Sequence, residues 1–393
     1  MMHGFEFYTP TRVIFGAGSL EKLPEAVGRC GAKRVFVIYG GQSAKKSGTL
    51  DRVEALLTGA GIAFAVIGGV KPNPRLGLAR EAIREAIAFG ADLILAVGGG
   101  SVIDTAKATA HGTANPEADI WDIWMGKVKL EKSLPVGVVL TIPAAGSEMS
   151  DSAVLTDEAA LAKRGLNTDL NRPAFALMDP ALAATLPARQ AACGVTDIMM
   201  HTLERYVNPL ENDMTDEIAE ALLRVVIRHG EAVVKNPGDI DAMSEIMWAG
   251  SLSHNNLTGL GGKKDFSVHQ FGQAIGEKFD IYHGETLSAM WASYARYVAP
   301  TNFARFARYA RNVWGVEEAD DEKAAMAGID ATEAYFKRLG MPVRIAELSC
   351  GVQDEAGLYD LALRCSRNRG RTIGSFRVLD FEDMLNVYQM ANK

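Results

Sequence analysis

An alternation of short apolar runs and amphipathic stretches over the first half of the chain constrains the fold most. The run DLILAVGGG at 92–100 ends in glycines, and the helix-like SVIDTAKATA follows at 101–110. Similar runs are RVIF (12–15), RVFVIYG (34–40), IAFAVIGG (62–69), PVGVVLTIP (135–143) and AFALMDP (174–180). Short strands that alternate with helices imply βαβ units. We therefore predict an α/β domain with a mostly parallel sheet.

The second half of the chain has a different character. From Val195 to the end, helical patterns are separated by Gly, Pro and Asn, and strand-like runs are almost absent. The change near Leu186 predicts an α/β domain over residues 1–186 and an all-helical domain over residues 187–393. Because no long flexible linker separates them, we expect the domains to pack closely around a cleft.

Composition argues against several classes of protein. The net charge is −7, whereas a general nucleic-acid binder usually needs a basic face. No run of roughly 18 uncharged apolar residues is present, so no membrane span is expected. The N-terminus MMHGFEFYTPTRVIFG lacks the features of a signal peptide. The four cysteines are scattered without a CxxC pair, which indicates free thiols and a cytoplasmic location.

The segment AVGGGSVIDTAK at 96–107 carries the strongest nucleotide-binding signal. A buried strand ends at three glycines and a helix follows, so helix amides and the helix dipole would favour a pyrophosphate. A strand-to-helix turn that simply needs glycine is the alternative. The usual GxGxxG fingerprint is absent, because GAGSLE at 16–21 has Glu21 at the third glycine position. A nucleotide site in this chain must therefore be of another type.

The end of the second predicted strand bears on cofactor choice. An acidic residue at such a strand end commonly binds the adenosine ribose of NAD. Here VIYGGQSAKKSG (37–48) offers small neutral residues, followed by Lys45 and Lys46. These residues suit the 2′-phosphate of NADP, and a lysine-rich solvated helix start explains the same spacing equally well.

Asp197 and His201 stand four residues apart in CGVTDIMMHTLE (193–204), so they would share one helix face. Such a pair in isolation is more often a surface ion pair than a metal site. The segment KDFSVHQFGQAIGEKFDIYHGE (264–285) adds His269 and His283. One carboxylate and three imidazoles form a reasonable ligand set for Fe²⁺ or Zn²⁺.

The remaining histidines, His3, His111, His229 and His254, fit no such set. His229 lies at a predicted helix end, where a cation suits the helix dipole. His111 also precedes a glycine, and we give it the same interpretation.

Taken together, the motifs resemble those of the iron-containing (group III) alcohol dehydrogenases, most closely the butanol-dehydrogenase-like NADPH-dependent aldehyde reductases. The matching segments are FEFYTPTRVIFGAGSL, YGGQSAKKSGTLDRV, PNP (72–74), LAVGGGSVIDTAK, LTIPAAGSE, LMDP, GVTDIMMHTLE, VHQFGQAIG and YHGE. The resemblance implies a dehydroquinate-synthase-like fold, with a dinucleotide-binding domain, a helical domain, and a metal in the cleft between them. It also implies a homodimer that pairs through the strand around residues 5–14.

The same resemblance implies the residues of the site. Metal ligands would be Asp197, His201, His269 and His283, and the catalytic group would be His201, His269, Gln273 and His283. Cofactor contacts would be Gly40, Gly41, Ser43, Asn73, Gly99, Gly100, Ser101, Asp104, Thr141 and Lys163. The NAD-using branch has an aspartate near Gly41, and its absence favours NADP(H) over NAD(H).

Three positions depart from the family pattern. Gln273 stands where the family often has a histidine proposed to assist proton transfer, and a glutamine cannot titrate near neutral pH. Ala145 replaces a frequent threonine, which removes a hydroxyl donor from the phosphate site. Ser150 and Ser152 replace positions that are often Asn or Gly, which predicts slightly altered contacts on the nicotinamide side.

The leading hypothesis is metal-assisted hydride transfer between NADP(H) and a short- or medium-chain aldehyde or alcohol. A dehydroquinate-synthase-like lyase that uses NAD and a metal is one alternative, but it needs a basic cluster. Only Lys263, Lys264 and Lys278 lie near the candidate ligands in sequence. A non-catalytic nucleotide-binding relative is the other alternative, and it would have no need of a metal.

Overall fold

The computed structural model describes residues 3–160 and 162–393. Within them the chain forms two compact units. An α/β unit comprises Tyr8–Leu186 and Pro237–Ser251, and a helical unit comprises residues 3–7, Pro187–Asn236 and Leu252–Lys393. The chain therefore passes between the units after Phe7, after Leu186, and again at both ends of Pro237–Ser251, so neither unit is continuous in sequence.

The strands are β1 Arg12–Phe15, β2 Arg34–Tyr39, β3 Ala63–Ile67, β4 Leu93–Gly98, β5 Val136–Leu140, β6 Ser152–Asp157, β7 Ala162–Asn167 and β8 Phe175–Met178. The α-helices are α1 Leu23–Arg29, α2 Ser43–Lys46, α3 Thr49–Gly59, α4 Leu76–Phe89, α5 Gly100–Ala114, α6 Ile120–Trp124, α7 Ala188–Tyr206, α8 Asp213–Lys235, α9 Ile240–His254, α10 Ser267–Phe279, α11 His283–Val298, α12 Phe303–Trp314, α13 Asp321–Arg338, α14 Glu355–Cys365 and α15 Phe381–Ala391. Short 3₁₀ helices occur at Ser19–Lys22, Asp169–Asn171, Pro180–Ala183, Leu257–Gly259, Ala299–Thr301 and Ile345–Glu347.

The α/β unit is built on a six-stranded parallel sheet in the order β1-β8-β5-β4-β2-β3. Each of its strands falls within one of the six apolar runs identified in the sequence, and the predicted parallel sheet is confirmed. Every residue of β4 is buried, as expected for a central parallel strand covered on both faces. The strand order reverses between β2 and β4, which is where parallel α/β sheets commonly bind ligands.

Two apolar clusters hold the helices of this unit in place. One packs Leu23 of α1 and Val53 of α3 against Leu93 of β4. The other cluster contains Leu76 of α4 together with Ile120 of α6. Burying such side chains contributes roughly 1.5–3 kcal/mol each.

The hairpin of β6 and β7 was not predicted. It is antiparallel and separate from the main sheet, with Val154 opposite Gly165. The sequence AKRGLN of β7 lacks both an apolar run and regular alternation, so no periodicity marks it as a strand. The hairpin is instead joined to the PNP turn, where Thr156 N donates to the carbonyl of Pro74 at 2.8 Å.

The helical unit confirms the prediction of an all-helical second half. Outside the helices, its described residues add one isolated bridge between Ile373 and Leu379. Helices α7 and α11 approach each other closely at a glycine, because a Cβ atom on Gly284 would lie 2.6 Å from Cys193 Cα. Among residues 3–160 and 162–393, no helix is long and apolar enough to cross a membrane.

Candidate metal and cofactor sites

One face of α7 carries three polar residues into the interior of the helical unit. Asp197, His201 and Glu204 recur at intervals of four and three residues, so their side chains project from the same side of the helix. All three are buried. The sequence analysis identified the first two and missed Glu204, although its helical spacing within the same segment was an available signal.

Three imidazoles converge on one oxygen of Asp197. Its Oδ1 atom lies 3.7 Å from His201 Nδ1, 3.6 Å from His269 Nε2 and 3.9 Å from His283 Nε2. His269 stands in the first turn of α10, and His283 is the first residue of α11. The structure therefore brings together the four residues proposed as ligands, from three different helices.

The cluster has the donor set that a divalent cation needs, and its imidazole nitrogens lie 3.6–3.9 Å from Asp197 Oδ1, at or just above the ligand spacing of such a site. Asp197 Oδ1, His201 Nδ1 and His269 Nε2 are buried, and within the described residues they have no hydrogen-bond partner. A tetrahedral ion with ligand bonds of roughly 2.0–2.2 Å would hold its ligand atoms roughly 3.3–3.6 Å apart. Buried polar atoms without partners are costly, so their convergence indicates a site built for a cation.

The four candidate ligands do not contribute equally to the cluster of ligand atoms. Asp197, His269 and His283 offer ligand atoms that all lie within 4.8 Å of one another, and this group does not include His201. The ring of His201 instead stacks on that of His269, with centroids 4.6 Å apart. His283 is the most accessible member, with a side chain 33% exposed against 7% for Asp197. A small molecule would therefore reach the cluster from the side of His283.

Electrostatics at His269 also favour a cation. Burial by itself would lower the pKa of His269, but Glu204 and Asp197 together raise it to about 9. His201 has the opposite behaviour, since burial and the neighbouring His254 lower its pKa well below the ordinary value. The two carboxylates lie on opposite sides of the His269 ring, Glu204 at Nδ1 and Asp197 at Nε2, and their negative potential stabilises positive charge there.

His254 lies beside the cluster without joining it. Its ring is 3.9 Å from that of His201, centroid to centroid. Arg205 Nη2 lies 2.8 Å from His254 Nδ1, and because a guanidinium can only donate, Nδ1 must accept. That nitrogen is therefore occupied by a hydrogen bond. This arrangement is consistent with the sequence analysis, which left His254 out of the set of metal ligands.

In the α/β unit, the candidate cofactor residues gather at the carboxyl ends of neighbouring parallel strands. Gly40, Gly41 and Ser43 follow β2, Gly99, Gly100 and Ser101 follow β4, and Thr141 follows β5. Thr141 N donates to the carbonyl of Gly98 at 3.1 Å, which joins the ends of β5 and β4. A Cβ on Gly40 would lie 3.6 Å from Val102 of α5, so the turns after β2 and β4 are adjacent.

The glycines at the end of β4 and in the turn after it also have a packing role. A Cβ on Gly98 would lie 2.5 Å from Val102, and a Cβ on Gly99 would lie 2.7 Å from Ile142. A Cβ on Gly100 would lie 3.0 Å from the methyl group of Ala145, the position that departs from the family pattern. None of the three has a positive φ. Close packing alone therefore accounts for part of this glycine run.

Asn73 and Lys163 form a second group in the same unit. Asn73 adopts a left-handed conformation with φ 57°, and its Oδ1 accepts a hydrogen bond from Lys163 Nζ at 3.1 Å. Lys163 lies on β7, so the unpredicted hairpin is what carries it to the PNP turn.

Comparison with known proteins assigns the family. Residues 10–180 match the model of the iron-containing alcohol dehydrogenases, and residues 190–392 match the model of the C-terminal domain of that family. The chain belongs to the iron-containing alcohol dehydrogenase family. It is an oxidoreductase of this family, which favours hydride transfer over the lyase and the non-catalytic alternatives.

Individual relatives cover the whole chain. The chain is 36% identical to NADH-dependent butanol dehydrogenase A of Clostridium acetobutylicum, over 99% of this chain and 100% of that protein. It is 34% identical to the NADPH-dependent aldehyde reductase YqhD of Escherichia coli, over 88% and 89% of the two chains. The crystal structure of NADH-dependent butanol dehydrogenase A from Thermotoga maritima superposes with a TM-score of 0.95 at 32% identity, covering 100% of this chain and 99% of that one.

Within this iron-containing alcohol dehydrogenase, Gln273 lies one helical turn after His269 on α10. Its Nε2 atom donates to Glu277 Oε1 at 3.1 Å. An amide in this position can orient a neighbouring group by hydrogen bonding, and it holds no titratable proton.

Asp104, proposed as a cofactor contact, is tied into a buried network. Its Oδ1 accepts from Ser147 Oγ at 2.6 Å, and its Oδ2 accepts from Val154 N at 2.9 Å. Lys107 Nζ donates to the same Ser147 hydroxyl and to the carbonyl of Ser152. Burial lowers the pKa of Lys107 to about 8 and raises that of Asp104. The network connects α5 to the segment around the start of β6. Ser152, one of the positions that depart from the family pattern, takes part through its backbone carbonyl and not through its side chain.

The interpretation of His111 as a cation at a helix end was wrong. His111 is completely buried within α5. Its Nε2 lies 2.8 Å from Asn171 Oδ1, and its Nδ1 lies 2.8 Å from Ser133 Oγ. Burial lowers the pKa of His111 to about 4, so the imidazole is neutral at physiological pH. His229 lies near the end of α8, inside the helix rather than after it.

Proposed function

We propose that this protein is a metal-dependent alcohol dehydrogenase or aldehyde reductase. It would transfer a hydride between NADP(H) and a short- or medium-chain aldehyde or alcohol. The observation that carries the proposal is the convergence of three imidazoles on Asp197 Oδ1 in a member of this family. In the direction of reduction, aldehyde, NADPH and one proton give alcohol and NADP⁺.

The proposed roles of the residues follow from their positions. Asp197, His201, His269 and His283 would hold Fe²⁺ or Zn²⁺. When bound, the metal supplies Lewis acidity towards a carbonyl oxygen, and the nicotinamide supplies the hydride. The exposed side of His283 leaves an approach for the substrate. The buried faces of His201 and His269 exclude water.

Gln273 would position the substrate or a water molecule. Its amide can donate a hydrogen bond but cannot release a proton near neutral pH. The proton for the product oxygen would therefore come from water or from the ribose of the cofactor.

The cofactor would bind at the strand ends of the α/β unit. Gly99, Gly100 and Ser101 would contact the pyrophosphate at the start of α5, where helix amides favour an anion. Gly40, Gly41 and Ser43 would contact the adenosine ribose phosphate. Asn73, Asp104, Thr141 and Lys163 would complete the site.

The preference for NADP(H) rests on Gly41. A Cβ at this position would meet no atom within 4 Å, so an aspartate could be accommodated and the chain lacks one. Relatives named for NADH and relatives named for NADPH both occur at similar identity. Specificity must therefore be measured on this protein.

A direct assay tests the reaction. Purified protein loaded with Fe²⁺ or Zn²⁺ should oxidise NADPH when butanal is added, followed by the loss of nicotinamide absorbance. The same sample treated with a chelator serves as the control. Failure to turn over a panel of aldehydes, with metal occupancy established by elemental analysis, would exclude the proposed activity.

A single substitution tests the cofactor preference. The parent should have a higher kcat/KM for NADPH than for NADH. Gly41→Asp should reverse this order, because a carboxylate repels the 2′-phosphate and can accept a hydrogen bond from a 2′-hydroxyl. Gly59→Asp, on the exposed end of α3, is the control for the added charge. A parent that prefers NADH would contradict the assignment.

We also propose the organisation around this activity. Residues 1–186 would bind the dinucleotide, and residues 187–393 would hold the metal. The protein would be a cytoplasmic homodimer whose partners are small-molecule aldehydes or alcohols, not nucleic acid or membrane. The four cysteines, all within the described residues, form no disulfide, which agrees with a reducing compartment.

A further inference from the structure

Glu204 is a buried carboxylate that belongs to none of the proposed ligand positions. It lies on α7, one turn beyond His201, and is only 1% exposed. Its Oε1 atom accepts hydrogen bonds from the backbone amides of Val268 at 2.5 Å and of His269 at 3.3 Å. Its Oε2 atom contacts His269 Nδ1 in a short hydrogen bond. Both oxygens of Glu204 are therefore directed at the start of α10.

The backbone contacts of Glu204 replace a missing helix cap. The first helical amides have no partner within a helix and need one from outside. Phe266, which precedes α10, is left-handed with φ 53° and provides no side-chain cap. Asp265 accepts from Ser267 N at 3.1 Å, and Glu204 accepts from the next two amides.

The contact with the imidazole has a separate consequence. A neutral imidazole carries one proton, on either Nδ1 or Nε2. A carboxylate beside Nδ1 accepts a hydrogen bond and so favours the form protonated there, which leaves the Nε2 lone pair free. His269 Nε2 lies 3.6 Å from Asp197 Oδ1, and it is a buried atom that has no hydrogen-bond partner among residues 3–160 and 162–393.

We propose that Glu204 is a positioning residue that holds His269 in the Nδ1-protonated form and so directs its Nε2 lone pair towards the metal. The inference rests on the proposed function in one respect, namely that a divalent cation binds at this cluster. Glu204 itself would not contact the metal or the substrate.

Glu204→Gln separates the two roles. The side-chain oxygen of glutamine can still accept from Val268 N, so the start of α10 stays capped. Its NH₂ group is a donor, which facing His269 Nδ1 favours the form protonated on Nε2. We expect Zn²⁺ affinity, measured by competition with a chromophoric chelator, to fall roughly 10–100-fold. The melting temperature of the metal-free protein should change little.

Glu333→Gln is the matched control. Glu333 is also a buried carboxylate of the helical unit, and it binds Arg296 and Lys337 away from the cluster. This variant should lower the melting temperature and leave Zn²⁺ affinity at the parental value. Loss of affinity in the control as well would mean that general destabilisation explains the result, and would overturn the inference.

A measurement on the parent protein covers the case in which the variant does not fold. With ¹⁵N-labelled histidine and bound Zn²⁺, one ring should show a protonated Nδ1 shielded from exchange, assigned by its loss in His269→Gln. An unprotonated Nδ1 on His269, or unchanged affinity in folded Glu204→Gln, refutes the role of Glu204. A parent that binds no Zn²⁺ at all would instead refute the proposed function.

Discussion

Each residue of the proposed metal cluster contacts residues that lie far from it in sequence. Asp197 Oδ1 faces imidazoles from residues 201, 269 and 283, and only the first of these is a helical neighbour. An Asp-x-x-x-His pair by itself indicates a surface ion pair. Burial of both side chains, and the absence of a hydrogen bond at their facing atoms within the described residues, argue for a cation instead.

His269→Ala tests the cluster at this scale. Removal of the imidazole nearest to Asp197 Oδ1 leaves too few donors to hold the ion, so we expect the purified variant to lose most of its bound metal. Elemental analysis of the metal-to-protein ratio measures this. His229→Ala, which changes a histidine of α8 outside the cluster, should keep the parental ratio. Full occupancy in His269→Ala would mean that the ligand is misassigned.

His111 predicts a pH dependence of stability. Its pKa in the folded protein is about 4, below the ordinary 6.5, so on acidification the unfolded chain binds a proton before the folded chain does. The stability contributed by neutral His111 is complete above about pH 6.5 and is lost as the pH falls towards about 4. Between about pH 7.5 and about pH 5, the parent should lose about 2 kcal/mol more than His111→Gln does.

Urea unfolding of both proteins at the two pH values measures that difference. The metal ligands titrate in parent and variant alike, so their contribution cancels in the comparison. Equal acid sensitivity of the two proteins would contradict a neutral buried His111.

At the scale of elements, the β4–α5 turn combines a packing requirement with a proposed binding role. Gly99 precedes α5, and the side chain of Ile142 occupies the space where its Cβ would be. The backbone at the end of β4 is thus fixed by the segment that follows β5. A turn held in this way presents the first amides of α5 in one defined arrangement, which is what a pyrophosphate would require.

Gly99→Ala should therefore affect both stability and binding. The added methyl group would lie 2.7 Å from Ile142 Cβ, and relief of that overlap typically costs about 1–3 kcal/mol. We expect weaker NADPH binding as well. Fluorescence titration measures the binding, and urea unfolding measures the stability.

Gly28→Ala is the matched control, since its methyl group in α1 would meet no atom within 4 Å. That variant should gain about 0.5–1 kcal/mol. Parental stability and NADPH affinity in Gly99→Ala would contradict the packing argument.

At the scale of the whole molecule, the N-terminal segment exposes an unusual number of aromatic side chains. Phe5 is 47% exposed, Phe7 41%, Tyr8 51% and Phe15 42%. The strand β1 forms one edge of the main sheet, pairing only with β8 among the described strands. Exposed apolar side chains and an open strand edge are each typical of a surface that another chain covers.

We expect a homodimer in solution that depends on this segment. Sedimentation equilibrium should give twice the mass of the chain, and Phe5→Ser with Tyr8→Ser should shift the equilibrium towards monomer. Val378→Ser, which removes a side chain 63% exposed elsewhere, should leave the dimer intact. A monomeric parent would refute the dimer, and a dimeric double variant would place the interface elsewhere.

Local patterns along the chain are enough to predict the α/β half, the helical half and the glycine turns. The periodicity of neighbouring residues reveals these features. The four candidate ligands lie in two separate segments of the chain, and they were suggested by their residue types together with the resemblance to the family. Three other features are visible only in the folded chain: the hairpin that carries Lys163 to Asn73, the neutral state of His111 and the contact of Glu204 with His269. Each of these is a pairing across tens of residues, set by the packing of whole elements and by burial. The periodicity of the sequence does not show which side chain a distant carboxylate will contact.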